Sequence, residues 1–439
     1  MNRDLLRDLY AAVCAALLVV TAVLVGRTIQ HRDGSLRVDW PPLLASWDPH
    51  VGPGTPAAVV VAAAAVVYGP SLAARLPWRP LLLAVWGAGM AWTWSLALVD
   101  GWRRGVAEQL TTRNEYLTVV DRFHDIPAAL RGFTGHILID SPDNWPAHVA
   151  GHPPGATLTF VLLDRVGLGG GGWAGVWCIT VGTTAAVAVL IAVRTLADES
   201  LARRAAPFLV LAPGAVWVGT SADGYFAAVA AWAVALLALA VRGVRPGLNG
   251  FCSGLLFGVT VYLSYGLTLM VVVAGAVLML GSRRPLIFVA AGFVVVPVVF
   301  TSLGFDWWEA YRLLVTRYYQ GAGGVRPYWY WVWANLACAV FIVGPATVAG
   351  MRRVIGRVRL RGGWSHSSSR AFGVLVLAAL LALLIADLSG MSKAETERIW
   401  LPFGVWLLPV CALLGRARGW LVAQASLALL VNHLLLTGW

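Results

Sequence analysis

The chain has 439 residues, of which 59% are hydrophobic and only 12% are charged. Soluble domains carry about a quarter charged residues, so this composition excludes a soluble enzyme, a secreted disulfide scaffold and a nucleic-acid-binding protein. The net charge of +12 is supplied almost entirely by arginine, and much of it lies in short loops between apolar segments, as the positive-inside rule describes. We expect an all-α, polytopic membrane protein with the lipid bilayer as its partner.

Thirteen or fourteen apolar segments follow one another along the chain. At roughly 20 residues per crossing of a ~30 Å hydrocarbon core, the apolar residues suffice for about a dozen helices. The segments are 11–29, 57–74, 81–99, 155–166, 173–196, 206–219, 222–241, 249–263, 266–281, 285–304, 329–350, 371–388, 400–414 and 419–437. We expect N-terminal transmembrane helices over 1–99, a large external loop with juxtamembrane helices over 100–154, and a transmembrane helical region over 155–439 with external loops 305–328 and 389–400.

The N-terminus is expected in the cytoplasm. Arg3 and Arg7 precede the first apolar segment and no small-residue cleavage site follows it, which indicates an uncleaved signal anchor. The basic loop 351–370 also belongs in the cytosol. Counting spans from the two ends disagrees by one crossing between residues 153 and 205, and the simplest resolution is that 155–166 does not cross the membrane. Its apolar core of about ten residues is shorter than a span requires, so we predict a re-entrant or half helix there.

The 100–154 loop concentrates polar residues and holds four of the eight histidines. Asn114–Phe123 and Ile126–Phe133 have the spacing of short amphipathic helices, which lie flat in a membrane interface. His148 and His152 have the i,i+4 spacing of a metal site. Prolines on both sides of the pair interrupt a helix there, so we predict no metal.

Three further features outside this loop are candidates, because ionisable groups are costly in a membrane. Asp223 lies between two apolar segments and is either the N-cap of a helix or a functional carboxylate. The aromatic run 328–333, which includes Trp329, fits an interfacial belt or a surface that stacks on sugars. Lys393 and Arg398 belong to a charged cluster before the segment at 400, and such a cation pair suits a lipid phosphate.

The ends of the 100–154 loop carry the residues that suggest a family. Asn114-Glu115-Tyr116 opens the loop, and His152-Pro153-Pro154-Gly155 closes it before an apolar segment. This pattern resembles the GT-C superfamily of polyprenyl-phosphate-sugar-dependent glycosyltransferases, in particular protein O-mannosyltransferases and lipid A aminoarabinose transferases. Those proteins open the loop with an Asp-Glu pair and close it with a Lys/His-Pro-Pro-Leu-like motif. Here Asn114 takes the first acidic position, which leaves Glu115 as the only carboxylate of the pair.

Two later stretches extend the resemblance. Residues 205–225 resemble a stretch of the same family in which a break between helices is followed by an Asp, here Asp223. Residues 393–403 resemble a stretch found in actinobacterial integral membrane proteins. The resemblance implies a GT-C-like helical fold in a bacterial plasma (inner) membrane, with the active site on the external, periplasmic face.

The implied reaction is an inverting transfer of a sugar, such as mannose or arabinofuranose, from a polyprenyl-phosphate donor to an acceptor hydroxyl. No cofactor is implied. By the motif, Glu115 is the general base, with Asp121 as second choice. Because the leaving group is a phosphate, cations near it stabilise the developing charge, and the candidates are Arg398, Lys393 and Arg326. The candidates for sugar binding are His152, Asp223, Tyr116 and Trp329.

Two other functions compete with this one. A transporter or flippase of lipid-linked glycans also has many helices and scattered charges, but it places functional charges near the midplane and breaks helices in matching positions of two halves. A non-catalytic GT-C-like assembly subunit is the third hypothesis, and Asn114 keeps it open. The acceptor is a glycan, a lipid or a protein, and the sequence does not distinguish among them.

Overall fold

The computed structural model describes residues 3–359 and 367–438, so part of the basic loop 351–370 lies outside the described residues. The helices of the first half are α1 Arg3–Asp33, α2 Thr55–Arg75, α3 Trp78–Ala97, α4 Ile126–Gly132, α5 Ala147–Gly151, α6 Pro154–Arg165, α7 Gly171–Gly182, α8 Thr184–Leu196, α9 Glu199–Val210, α10 Ala215–Val218 and α11 Ala222–Val241. Those of the second half are α12 Pro246–Leu263, α13 Met270–Met279, α14 Leu286–Ser302, α15 Trp307–Gln320, α16 Ala322–Val325, α17 Tyr328–Arg359, α18 Ser367–Leu388, α19 Thr396–Ile399, α20 Leu401–Gly404 and α21 Ala417–Leu434.

Shorter elements connect these helices. The 3-10 helices are Leu98–Asp100, Gln109–Thr111, Tyr116–Phe123, Phe133–His136, Tyr265–Leu269 and Leu408–Leu413, and a π-helical turn covers Arg103–Ala107. Strand β1 (Ala45–Trp47) pairs antiparallel with β2 (Leu435–Thr437) and joins the segment after α1 to the one after α21. The predicted amphipathic pieces of the 100–154 loop are therefore a 3-10 helix over Tyr116–Phe123 and the α-helix α4.

Eight helices in the described part of the chain are long and apolar enough to cross a membrane, or nine if the pair α14–α15, bent by 77°, is one span. The expected all-α, polytopic fold is confirmed. Several apolar segments are shorter helical pieces, which is why the structure has fewer candidate spans than the apolar residues suggest. Residues 206–219 divide between α9 and α10, and Tyr265–Met279 and Leu401–Leu413 are too short to span.

The segment 155–166 forms α6, a helix of 12 residues. At 1.5 Å per residue it is about 18 Å long, well short of a ~30 Å hydrocarbon core. It is not among the helices long enough to cross a membrane. Its length matches the predicted half helix, and the side of the membrane on which 100–154 and 305–328 lie stays a prediction.

Helix α11 lies at the centre of the bundle. It is apolar all round and buried along most of its length, as expected for a helix surrounded by others. The helices α7, α8, α12 and α13 pack around it. The side chain of Ser221 caps its N-terminus by accepting a hydrogen bond from the backbone of Asp223. The N-cap interpretation of Asp223 is therefore wrong: Asp223 lies in the first turn and its carboxylate is available for other partners.

Helix α17 is kinked at Gly344, whose φ of +76° is in the region that favours glycine. The next residue is Pro345, which cannot donate a backbone hydrogen bond. The side-chain amide of Gln424 on α21 donates to the carbonyl of Val343 and accepts from the backbone of Ala346. Those contacts satisfy the backbone groups that the kink leaves exposed.

Beyond the kink, α17 is tied to α1 by a buried ion pair. The Asp8 carboxylate, 0% exposed, accepts hydrogen bonds from Arg352 at 2.6 Å and from Arg353 at 2.5 Å. At another place, the loops predicted to be external contact one another. Arg317 of α15 donates to two backbone carbonyls of the 100–154 loop. Arg326 donates to the carbonyl of Lys393, so the three polar stretches meet around one site.

Candidate active site

A cavity of about 500 Å³ lies where these polar stretches meet. Its walls come from α15, α18, the 3-10 helix Tyr265–Leu269 and the segment 389–399, together with the first turn of α11. The charged and histidine side chains that line it are His148, His152, Asp223, Arg317, Arg326, Lys393, Glu395 and Arg398. Apolar side chains that line it include Leu267, Leu269, Leu314, Ile385 and Phe403. A site with one charged wall and one apolar wall suits an amphiphilic ligand.

Arg398 is the centre of the charged wall. Its guanidinium donates to Asp223 at 2.5 Å and to Glu395 at 2.8 Å, and a third contact of 3.0 Å joins it to Nε2 of His148. The residue is 5% exposed. Burial alone would lower the pKa of Arg398, but the surrounding carboxylates raise it above its ordinary value. Arg398 is therefore a permanent charge that holds two carboxylates and one imidazole in place.

Glu395 lies between two arginines in a strained loop. Its carboxylate is 2.8 Å from Arg398 and 3.7 Å from Arg326. Desolvation acts to raise its pKa, but the positive charges facing it prevail and lower the pKa to about 2. Ala394 and Glu395 have φ values of +70° and +61°, which cost energy for residues other than glycine. The strained backbone conformation places the ionised carboxylate of Glu395 at the cavity.

Lys393 and Arg326 are the cations next to this carboxylate. Lys393 donates its ammonium to the carbonyl of Gly323 at 2.8 Å, and desolvation lowers its pKa. An ammonium has three donors, of which Gly323 takes one. Arg326 donates to the backbone carbonyls of Leu36 and Lys393. Both cations are thus oriented by backbone carbonyls, and Arg326 also forms the ion pair of 3.7 Å with Glu395.

Glu115 does not reach this cavity. It is 3% exposed and accepts a hydrogen bond from Nδ1 of His148 at 2.7 Å. The space that it faces is a separate cavity of about 10 Å³, shared with Gln109, Ser221 and Arg398 among others. A volume of that size holds about one water molecule. His148 and Arg398 line both this space and the large cavity.

Tyr116 and His152 support the histidine side of the site. The Tyr116 hydroxyl lies 3.1 Å from Nδ1 of His152, and the same nitrogen lies 2.7 Å from the carbonyl of His148. Burial raises the pKa of Tyr116, and burial lowers the pKa of His152 to about 4. His152 is therefore neutral at physiological pH. It lines the cavity, whereas Tyr116 lies behind it beside Glu115.

Two of the candidates from the sequence lie elsewhere. Asp121 is exposed on the 3-10 helix Tyr116–Phe123 and does not line the cavity. Trp329 is 60% exposed at the start of α17, and this position fits an interfacial belt better than a sugar platform. The structure brings the other candidates together. Arg398, Lys393, Arg326, His152 and Asp223 line the cavity, and Glu115 and Tyr116 lie directly behind it.

Two residues of the site were not assigned a role from the sequence. Glu395 belongs to the charged cluster before residue 400, and its flanking cations were the available signal. His148 stands out by its spacing to His152, but a spacing does not say that one ring faces Glu115. In the part of the chain that the structure describes, no three His, Cys, Asp or Glu side chains are grouped as a metal ion requires.

Comparisons with known proteins found solved structures with low similarity to this chain. No protein-family model matches the chain, and no curated protein matches it significantly. Among solved structures, the apo form of the Archaeoglobus fulgidus oligosaccharyltransferase has 12% identity and a TM-score of 0.48, over 75% of this chain and 50% of that one. The complex of the same protein with Zn and sulfate has 14% identity and a TM-score of 0.44, over 74% and 47%. The chain spans about half the length of these structures.

Proposed function

We propose that this protein is a membrane glycosyltransferase that transfers a sugar from a polyprenyl-phosphate donor to an acceptor hydroxyl. The observation that carries the proposal is the cavity of about 500 Å³, which combines cations, carboxylates and imidazoles with an apolar wall. A sugar on a lipid phosphate has the matching parts: a polar ring, a charged linkage and a hydrocarbon tail.

The phosphate of the donor fits beside Lys393 and Arg326. Both cations line the cavity and both donate to backbone carbonyls. Arg326 shares the Glu395 carboxylate with Arg398, so the charged wall keeps positive charge for an incoming anion. Charge-assisted hydrogen bonds of this kind are about twice as strong as neutral ones. The first isoprene units of the donor then lie against Leu267, Leu269 and Ile385, which line the apolar wall.

The reaction follows from that placement. The acceptor oxygen attacks C1 of the sugar from the side opposite the phosphate, the bond between C1 and the phosphate oxygen breaks, and the phosphate keeps the electron pair. The configuration at C1 is inverted. A general base that removes the hydroxyl proton is worth about 10²–10⁴-fold in rate. By the motif that base is Glu115 or, as second choice, Asp121, and the burial of Glu115 behind His148 favours a role for the pair.

The proposed location is the external face of a bacterial inner membrane, with a cytoplasmic N-terminus. The arginine-rich loops support this orientation, and the polar stretches 100–154, 305–328 and 389–400 meet around the cavity. A transporter of lipid-linked glycans would place its charges along the middle of its spans. Here the charged side chains of the cavity come mainly from connecting segments and from the first turn of α11.

The test is transfer by the purified protein in liposomes. Polyprenyl-phosphate mannose and polyprenyl-phosphate arabinofuranose, each with a radiolabelled sugar, are offered with envelope lipids and glycans as acceptors. We expect label in the acceptor fraction with one donor, and its loss in the double variant Lys393→Gln/Arg326→Gln. Asp143→Asn, an exposed carboxylate of the 100–154 loop, is the control and keeps activity. A wild-type protein that transfers neither sugar contradicts the proposal for both donors.

A further inference from the structure

We infer that His148 accepts the proton of the acceptor hydroxyl, and that Glu115 is a positioning residue that acts through His148. This inference rests on the proposed function and names the groups that move the proton. The GT-C resemblance assigns this task to the carboxylate of the loop motif, whereas the geometry separates that carboxylate from the large cavity.

A sugar in the large cavity cannot reach Glu115. Its carboxylate faces a space of about 10 Å³, which is room for about one water molecule. His148 lies between Glu115 and the cavity of about 500 Å³ and lines both spaces. Direct contact between Glu115 and a hydroxyl in the large cavity would require the imidazole to leave its place.

The hydrogen bonds of His148 determine its tautomer. An ionised carboxylate only accepts hydrogen bonds, so Nδ1 of His148 carries the hydrogen that points to Glu115 at 2.7 Å. The other nitrogen, Nε2, is then an acceptor. Its contact of 3.0 Å with Arg398 agrees, because a guanidinium only donates. A carboxylate behind an imidazole fixes the tautomer and stabilises the imidazolium that forms when Nε2 takes a proton.

The backbone holds this pair in register. The amide of His148 donates to the carbonyl of Asn114 at 3.0 Å, directly before Glu115. The two ends of the external loop, 114–116 and 147–152, are therefore joined by one backbone and two side-chain hydrogen bonds. This arrangement explains physically why the opening and closing motifs of the loop belong together: one supplies the carboxylate and the other supplies the ring.

The carboxylates that line the cavity are already engaged by arginine. Asp223 and Glu395 both accept hydrogen bonds from Arg398, and the arginines facing Glu395 hold its pKa at about 2. A group with so low a pKa is a weak base near neutral pH. The imidazole of His148 lines the cavity as well, and we assign the proton to its Nε2.

The proton moves from the acceptor hydroxyl to Nε2 of His148 as the sugar is transferred. The hydroxyl takes the place of the Arg398 nitrogen at Nε2 of His148, while Arg398 keeps Asp223 and Glu395. The oxygen forms its bond to C1, the bond from C1 to the phosphate oxygen breaks with its electrons on the phosphate, and the proton goes to Nε2. The imidazolium is then compensated by Glu115. It returns the proton to water or to the phosphate before the next cycle.

The experiment is a double-mutant cycle on the transfer reaction. His148→Gln and Glu115→Gln are each expected to lower kcat by about 10²–10⁴-fold and to leave the KM for the donor within about threefold. The double variant is expected to be no slower than His148→Gln, since residues that act as a unit are not additive. Glu115→Asp restores part of kcat, and imidazole added to His148→Ala restores part of it as well, which a merely structural role does not allow. His124→Gln, an exposed histidine of the same loop, is the control.

The outcomes separate the inference from the function on which it rests. An active wild type in which His148→Gln keeps more than about a tenth of kcat overturns the inference alone. So does a double variant whose loss is the product of the two single losses, because Glu115 and His148 then act independently. A wild type that transfers no sugar overturns the proposed function and this inference together.

Discussion

Two buried clusters of arginine and carboxylate in the described part of the chain differ in their surroundings. Asp8 binds Arg352 and Arg353 between α1 and α17 and faces neither of the two cavities described above. Arg398 binds Asp223 and Glu395 at the wall of a cavity of about 500 Å³. The bonds are alike in length and chemistry. Burial of an ion pair in a membrane protein is therefore not by itself a sign of a functional site, and the Arg398 cluster is a candidate because it lies beside space for a ligand.

The largest effect is expected from Arg398→Gln. The substitution leaves two carboxylates without their shared cation and removes a positive charge from the site of phosphate departure. We expect transfer to fall by at least about 10²–10³-fold per folded molecule. The measurement is initial rate at saturating donor, normalised to the monodisperse fraction on size exclusion. Arg113→Gln, an exposed arginine of the external loop, is the matched control, and equal rates in the two variants would place Arg398 with the structural cluster.

The reciprocal substitution is Asp8→Asn. Removal of one partner from a buried ion pair costs about 3–5 kcal/mol, so we expect a marked loss of stability in detergent. Transfer per folded molecule stays at the wild-type level, because Asp8 is remote from the cavity. Thermal unfolding followed by tryptophan fluorescence, together with the transfer assay, measures both quantities. A large loss of transfer in a folded Asp8→Asn protein would remove the distinction between the clusters. Asp4→Asn removes an exposed carboxylate of α1 that lies 4.0 Å from the same Arg352, and it is the control in which a surface contact of the cluster is lost and the buried pair is kept.

A smaller effect is expected from Lys393→Gln. The lost charge-assisted hydrogen bond is worth about 1.5–3 kcal/mol, which corresponds to a rise of about 10–100-fold in the KM for the donor. Kinetics at varied donor concentration measure it. The same rise for the acceptor, with the donor KM unchanged, would show that Lys393 contacts the acceptor instead.

Glu397 is a buried carboxylate beside the site that, among the described residues, forms no ion pair with an arginine. The pH dependence of stability therefore distinguishes it from the carboxylates of the two clusters. It is 0% exposed, one oxygen accepts from the backbone of Leu44, and the other has no hydrogen-bond partner among the described residues. Desolvation raises its pKa to about 7. The folded protein then binds a proton that the unfolded chain has lost, so stability falls as pH rises from about 4.5 to about 7. Thermal unfolding across this range should show a smaller slope for Glu397→Gln, and an unchanged slope would contradict the assignment.

The charged wall of the cavity could be anticipated from the sequence because charge is scarce in this chain. Arg398, Lys393, Arg326 and Asp223 stand out against apolar surroundings, and a membrane tolerates such residues only where they have partners. The partners themselves could not be predicted. Arg398 and Asp223 are 175 residues apart in the chain, and nothing in either local sequence encodes that contact.

The fold was predictable in kind, and less so in the number of spans. Hydropathy identifies apolar segments but does not say whether a segment faces lipid or packs inside a bundle. Residues 206–219 are as apolar as a span, yet they are divided between α9 and α10. The position of Glu115 relative to the cavity could not be predicted either. The motif places Glu115 on the external loop but does not show that His148 lies between it and the cavity.

The charge balance of the cavity has a consequence for turnover. Four cationic side chains and two carboxylates line it, Arg317, Arg326, Lys393 and Arg398 against Asp223 and Glu395, so the lining has an excess of two positive charges. On the proposed function, the donor arrives as a phosphodiester with one negative charge, and the departing lipid phosphate gains a second. The walls therefore match the product anion better than the substrate. Bond cleavage is favoured, and the spent lipid carrier is held after the sugar has gone, which makes its escape into the bilayer a candidate for the slow step and makes polyprenyl phosphate an expected inhibitor.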